Sequence, residues 1–302
     1  MITYVNGALN AEGNRVASIA RRRHGRRDNG ETAMIEIDWD DAYANMPYVP
    51  GAEALPAQWA AQAEAFRAGG VTIETVRYGR APRCEMDILS PVQRCVGLMI
   101  FVHGGYWMKF DRSYWTHLAK GALDRGWAVA IPSYTLAPEA RVAQMTAEIG
   151  AAINHAAQIV PGPIRLAGHS AGGHLVSRMI CTDTTLPQDV QDRIGHTVSI
   201  SGLHDLRPLL WTKLNATLNL DADEAVAESA ALATPRPGVS VTAWVGGDER
   251  PEFIRQAQAL DVMWSGLGAQ TACVVEPGHN HFSVVEALMD AKSPLLNEIL
   301  DP

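Results

Sequence analysis

The fold is decided by the stretch Ile164 to His174, which reads I-R-L-A-G-H-S-A-G-G-H. Its first residues are typical of a buried strand, and the residues after Ser170 can continue as a helix. Gly168 and Gly172 flank the serine at positions where a sharp strand-to-helix turn leaves no room for side chains. Such a turn lifts the serine hydroxyl above the sheet and aims a helix N-terminus at a developing oxyanion. The pattern predicts Ser170 as a nucleophile, against the alternative of a glycine-rich turn with an incidental serine.

Strand-like and helix-like segments alternate along the rest of the chain. This alternation predicts an α/β fold with a mostly parallel central sheet of about eight strands and helices on both faces. The residues 205–237 interrupt it, and we interpret them as a small cap or lid because they are too long for a simple connection. The expected strands are 71–78 and 85–89, as an antiparallel pair, and then 96–102, 128–134, 164–168, 197–201, 239–246 and 271–276; the expected helices are 55–67, 114–125, 138–160, 171–181 and 251–267.

Composition excludes several classes of protein. The formal net charge is −8, which disfavours a nucleic-acid partner. No apolar stretch approaches the roughly 18 to 20 residues that span a bilayer, so we expect no membrane insertion. The four cysteines are far apart in sequence and form no C-x-x-C pair, which indicates a reducing, cytoplasmic setting. The sequence does not fix the oligomeric state, and a homodimer stays open.

The first 33 residues differ from the remainder, which we expect to be one domain over 34–302. They lack apolar periodicity and we expect them to be disordered. Because a polar run from Asp28 to Glu31 follows the arginines, the segment is not an export signal. It is either a solvated tail, an extension upstream of a start at Met34, or a nucleic-acid-binding arm. The arginines are Arg15, Arg21, Arg22, Arg23, Arg26 and Arg27.

A second motif, H-G-G-Y-W, covers residues 103–107 directly after an apolar strand. Its glycines would let backbone N–H groups approach a substrate carbonyl, so Gly104 and Gly105 are the expected oxyanion donors together with Ala171. We interpret His103 as a structural hydrogen-bonding residue. Tyr106 and Trp107 either line an aromatic substrate subsite or cover the core.

A serine nucleophile needs a base and an acid, which follow it in the chain in this architecture. The loop after the last expected strand offers His281 and His279, and we favour His281 because it precedes Phe282 and an apolar helix. The loop after the preceding strand offers Glu249 and Asp248, with Glu249 favoured. Glu252 would already point along the following helix.

Together these residues resemble the small α/β-hydrolase esterases that include the arylformamidases, also called kynurenine formamidases. In eukaryotic members the acid is an aspartate two residues before a P-E-F run, and Glu249 holds that position here. The resemblance implies the α/β-hydrolase fold and hydrolysis of N-formyl-L-kynurenine to kynurenine and formate, with no metal or organic cofactor. It is carried by residues 103–107, 168–174, 205–209, 249–253 and 281–282 and extends from about Met34 to the C-terminus.

The sequence therefore predicts a serine hydrolase that cleaves a small ester or formamide through an acyl-enzyme. One alternative is a general short-chain carboxylesterase. A second is a non-catalytic hydrolase-fold protein that binds a small ligand, although such proteins usually lack a triad member. A metal-dependent amidohydrolase is disfavoured because the histidines show no H-E-x-x-H spacing.

Overall fold

The apolar runs of the sequence form one mixed sheet in the computed structural model, which describes residues 37–302. The expectations for residues 1–33 lie outside this range. Each expected strand is present, with ends shifted by at most a few residues. The eight strands are β1 (Thr72–Arg77), β2 (Glu85–Ser90), β3 (Gly97–Val102), β4 (Trp127–Pro132), β5 (Ile164–His169), β6 (Ile194–Ile200), β7 (Ser240–Gly246) and β8 (Gln270–Glu276).

The order of the strands across the sheet is β1-β2-β4-β3-β5-β6-β7-β8. β1 pairs antiparallel with β2, and β2 with β4, whereas the strands from β4 to β8 run parallel. This topology confirms the predicted α/β-hydrolase fold. Because parallel strands share one carboxyl edge, the loops after β3, β5, β6, β7 and β8 meet there.

Helices cover both faces of the sheet, as predicted. Alternation along the central strands sorts their side chains between two apolar layers: Ile100 faces one layer and Phe101 the other. The α-helices are α1 (Trp39–Ala42), α2 (Leu55–Ala68), α3 (Lys120–Asp124), α4 (Val142–Ile159), α5 (Ala171–Arg178), α6 (Gln188–Gln191), α7 (Asn215–Leu218), α8 (Ala222–Ala227), α9 (Pro251–Ser265) and α10 (Pro294–Leu300).

Two helix predictions were wrong in extent. The segment 138–160 becomes helical only at Val142, because Arg141 is extended and its guanidinium binds Glu224. The segment 114–125 forms short 3₁₀ turns and a brief α3 instead of one helix. There, Thr116 is tied to α2, since its hydroxyl donates to Ala63 O at 3.2 Å and accepts from Arg67 at 3.0 Å. Long-range contacts override the local helical pattern at both places.

The stretch after β6 that was predicted as a cap contains α7, α8 and two 3₁₀ turns, Arg207–Trp211 and Ala230–Leu232. Its start is anchored by Gln256, a fully buried residue of α9. Gln256 Oε1 accepts hydrogen bonds from the backbone N–H groups of His204 and Asp205, at 2.6 and 2.7 Å. Its Nε2 donates to Asp205 O at 2.9 Å and to the Tyr43 hydroxyl at 3.0 Å. The side-chain amide of Gln256 therefore holds the start of the segment 205–237 against α9.

We expect Gln256→Met to lower the free energy of unfolding by about 2 to 4 kcal/mol, because it leaves two buried N–H groups without an acceptor. Urea denaturation followed by far-UV circular dichroism measures this change. Gln258, exposed on the same helix, is the matched control. Gln258→Met should change the free energy by less than about 0.5 kcal/mol. Equal effects of the two substitutions would contradict the anchoring role.

Within residues 37–302, no helix combines the length and apolar character that crossing a membrane requires.

Candidate active site

Ser170 lies at the turn between β5 and α5, with φ 56° and ψ −118°. This strained backbone is held by the Ser170 N–H, which donates to Ile200 O on β6 at 2.8 Å. The flanking glycines are required by close packing. A Cβ atom on Gly172 would lie 1.9 Å from Val102 O, and one on Gly168 would lie 2.2 Å from Gly172 O. The structure thus has the sharp turn that the G-x-S-x-G pattern predicts.

The loop after β3 lies directly against this turn. A Cβ atom on Gly104 would approach the Ser170 Cβ to 2.8 Å. Gly105 has φ 117°, and its carbonyl accepts from the N–H groups of Met108 and Lys109, which closes a tight turn. Among residues 37–302, no oxygen atom accepts a hydrogen bond from the N–H of Gly104, Gly105 or Ala171. Their role as donors of an oxyanion hole stays a prediction.

Glu249 and His281 form a buried pair at the same edge of the sheet. His281 Nδ1 lies 2.6 Å from Glu249 Oε2. The other carboxylate oxygen, Oε1, accepts from Gly246 N at 2.8 Å and from the Ser201 hydroxyl. A carboxylate only accepts hydrogen bonds, so Nδ1 of His281 is the donor in this contact.

The rival candidates lie elsewhere. Asp248 is exposed. Within residues 37–302 its hydrogen bonding is limited to its backbone N–H, which donates to His279 O at 3.0 Å. His279 is partly exposed, with its Nε2 3.9 Å from Glu276. Glu252 is buried and binds Arg255 and the Tyr43 hydroxyl. The structure brings together Glu249 and His281 and leaves these three residues apart from the pair.

Ser201 is the site residue that sequence reasoning missed. It follows β6, has φ 51°, and supports the carboxylate of Glu249 through its hydroxyl. The strand pattern could have indicated this contact. Ser201 and Glu249 follow adjacent parallel strands, and the carboxyl ends of such strands lie at the same edge of the sheet. The sequence alone treated Ser201 only as a strand end.

The residues of the H-G-G-Y-W loop have different environments. His103 is buried, its Nδ1 donates to Gly104 O at 2.8 Å, and burial lowers its pKa to about 4. This agrees with a structural role. Tyr106 is partly exposed and its hydroxyl donates to Tyr43 O. Trp107 has no exposed surface and packs edge-on against His174, with ring centroids 5.2 Å apart. This burial is consistent with the core-covering interpretation of Trp107, and its substrate-subsite interpretation stays a prediction.

Within the described part of the chain, no three His, Cys, Asp or Glu side chains are grouped so that they could hold a metal ion. The arrangement instead combines a serine hydroxyl, an imidazole held by a carboxylate and free backbone N–H donors. These are the groups that acyl transfer to serine requires.

Comparison with known proteins finds one matching family model and several similar proteins. The family model described as BD-FAE matches residues 86–229, a range that includes the glycine loop and Ser170. A kynurenine formamidase from Danio rerio is 28% identical over 238 residues, which cover 76% of this chain and 80% of that protein.

Two solved structures are similar in fold. One, from Silicibacter sp. TM1040 and provisionally described as a thioesterase, is 47% identical, with a TM-score of 0.83 and coverage of 87% of this chain and 99% of that chain. Esterase B from Lactobacillus rhamnosis is 19% identical, with a TM-score of 0.63, and covers 82% of this chain and 89% of that chain. At that identity, the second likeness concerns the fold alone.

Proposed function

This chain belongs to the α/β-hydrolase esterases and is a hydrolase, and from this premise we propose that it cleaves a small aryl formamide or ester through an acyl-enzyme on Ser170. The observation that carries the proposal is the buried Glu249–His281 pair, at 2.6 Å, whose imidazole contacts His169, the residue before Ser170 in the strained turn. The four cysteines of the chain are unpaired, which supports the proposed cytoplasmic location.

In the proposed mechanism, His281 Nε2 takes the proton of the Ser170 hydroxyl as its oxygen attacks the substrate carbonyl. Glu249 holds Nδ1–H and stabilises the imidazolium that forms. The N–H groups of Gly104, Gly105 and Ala171 bind the oxyanion. The C–N or C–O bond then breaks, and the leaving group takes the proton from His281. Water, activated by the same imidazole, hydrolyses the acyl-serine and releases the acid.

The proposed substrate is N-formylkynurenine or a closely related aryl formamide. The kynurenine formamidase relative supports it, because the match spans four-fifths of that protein. The H-G-G-Y-W loop supports it as well, with a partly exposed Tyr106 beside the proposed oxyanion donors. A formyl group is the smallest acyl group, which suits a nucleophile that is only 2% exposed.

Thioester hydrolysis is the second candidate. It is favoured by the 47% identical relative that is provisionally described as a thioesterase. The same groups would perform it, because the attack on a thioester carbonyl also forms an oxyanion and an acyl-serine.

Substrate comparison tests the proposal. We expect kcat/KM for N-formyl-L-kynurenine to exceed that for p-nitrophenyl acetate and for a short acyl thioester by about tenfold or more. Kynurenine, p-nitrophenol and free thiol are each followed by absorbance, and a fluorophosphonate probe reports labelling of Ser170. A preference for the ester or the thioester would replace the formamide as substrate. Failure of the probe to label Ser170 in active protein would refute the acyl-enzyme.

A further inference from the structure

His169 precedes the nucleophile in the chain, contacts the proposed base, and has no role in the mechanism above. It is the variable residue of the G-x-S-x-G motif and ends β5, and it is 5% exposed. Its Nε2 lies 2.7 Å from the main-chain oxygen of His281. A carbonyl oxygen only accepts hydrogen bonds, so Nε2 carries the proton and donates it.

The two imidazoles are also in direct contact. The ring centroids of His169 and His281 are 4.7 Å apart, with 42° between the ring planes. Burial, and then the neighbouring His281, hold the pKa of His169 well below its ordinary value. His169 therefore stays neutral, and no second positive charge opposes the imidazolium that His281 forms during proton transfer.

Gly104, in the loop after β3, packs closely against His169. A Cβ atom on Gly104 would lie 2.9 Å from His169 O and 3.2 Å from its Nδ1. The His281 loop has a second attachment in Asn280, whose Oδ1 accepts from the N–H groups of Phe282 and Ser283 at 2.9 and 3.1 Å. Asn280 fixes the loop after the imidazole, and His169 fixes the main chain of the imidazole residue itself.

We infer that His169 is a positioning residue for the proposed reaction: its Nε2–H fixes the backbone of His281 so that the imidazole of His281 faces Ser170. The inference rests on the proposed acyl-enzyme function. Misplacement of a reacting group by about 1 Å costs on the order of 10²-fold in rate. One hydrogen bond to the base loop can therefore have a large effect on turnover.

Three variants separate the hydrogen bond from the bulk of the side chain. His169→Leu removes the donor. His169→Gln keeps it, because the amide nitrogen of glutamine lies the same number of bonds from Cα as histidine Nε2, whereas His169→Asn is too short. We expect the leucine and asparagine variants to lose about 10- to 100-fold in kcat with KM changed less than about threefold. The glutamine variant should retain at least about a third of kcat.

His196→Leu is the matched control, because it also removes a buried imidazole and one hydrogen bond, to Ser240 Oγ at 2.8 Å. His196 lies near the start of β6, at the opposite end of the sheet from Ser170. It should keep kcat within about threefold even if stability falls. Kinetics on p-nitrophenyl acetate, fluorophosphonate labelling rates and circular dichroism are measured for each variant.

Wild-type kcat in His169→Leu would overturn the inference, as would a folded glutamine variant no better than leucine. If the leucine variant does not fold, the comparison of glutamine with asparagine decides, and equal kcat in these two overturns it. These outcomes concern His169 alone. The acyl-enzyme proposal fails separately, if Ser170→Ala retains hydrolysis.

Discussion

Ser170→Ala is expected to lower kcat by about 10⁴- to 10⁶-fold while leaving the fold intact. The reason is that no acyl-enzyme can form, and only the oxyanion donors and substrate binding would still assist direct attack by water. Kinetics on the best substrate, with circular dichroism for the fold, measure the effect. The variant should also lose all fluorophosphonate labelling.

The control for this substitution is Ser177→Ala on α5, the helix that follows Ser170. Ser177 is buried and its hydroxyl donates only to Gly173 O, at 2.8 Å, within α5. Its loss should affect stability and keep kcat within about threefold. Hydrolysis by Ser170→Ala at the wild-type rate would exclude the serine mechanism.

Glu249→Gln is expected to lower kcat by about 10³- to 10⁴-fold. Gly246 N–H and the Ser201 hydroxyl both donate to Oε1, so an amide at this position would keep its oxygen there and turn its NH₂ group toward His281. His281 Nδ1 would then have to accept, which moves the proton to Nε2 and removes the lone pair that the serine proton needs. Steady-state kinetics measure the loss.

Asp248→Asn provides the comparison that separates the two carboxylates. Asp248 is adjacent in sequence, carries the same charge and is exposed, so its substitution should change kcat by less than about fivefold. Glu249→Asp should fall between the two, because the shorter chain cannot reach His281 and both Oε1 donors. A larger loss in Asp248→Asn than in Glu249→Gln would assign the acid to Asp248 instead.

The sequence predicts the fold well because the fold depends on local patterns. Strand-like runs, of which 96–102 and 128–134 are nearly all apolar, marked the eight strands, and the glycines around Ser170 marked the turn. Each of these signals is set by backbone geometry within a few residues. Helix boundaries were less predictable. The start of α4 depends on Arg141, whose partner Glu224 lies 83 residues away in sequence.

The sequence identified the candidate residues of the site, but it did not establish which of them contact one another. Whether Glu249 or Asp248 contacts the imidazole depends on how the chain turns after β7, and adjacent residues in such a turn point in different directions. Ser201 contacts Glu249, and His169 contacts His281, although the two residues of each contact are far apart in the sequence. A pattern of residue types contains no information about such contacts unless the strand order is known.

Backbone strain is concentrated at the candidate site. Six non-glycine residues have positive φ within residues 37–302, and four of them, Tyr106, Trp107, Ser170 and Ser201, belong to the site or its support. Each such residue costs on the order of 1 to 3 kcal/mol, so their sum approaches the net stability of a typical domain. The surrounding packing must supply that margin. Random substitution far from Ser170 can therefore reduce the amount of active protein without touching the chemistry, and the evolution of new substrates in this scaffold is limited first by its reserve of stability.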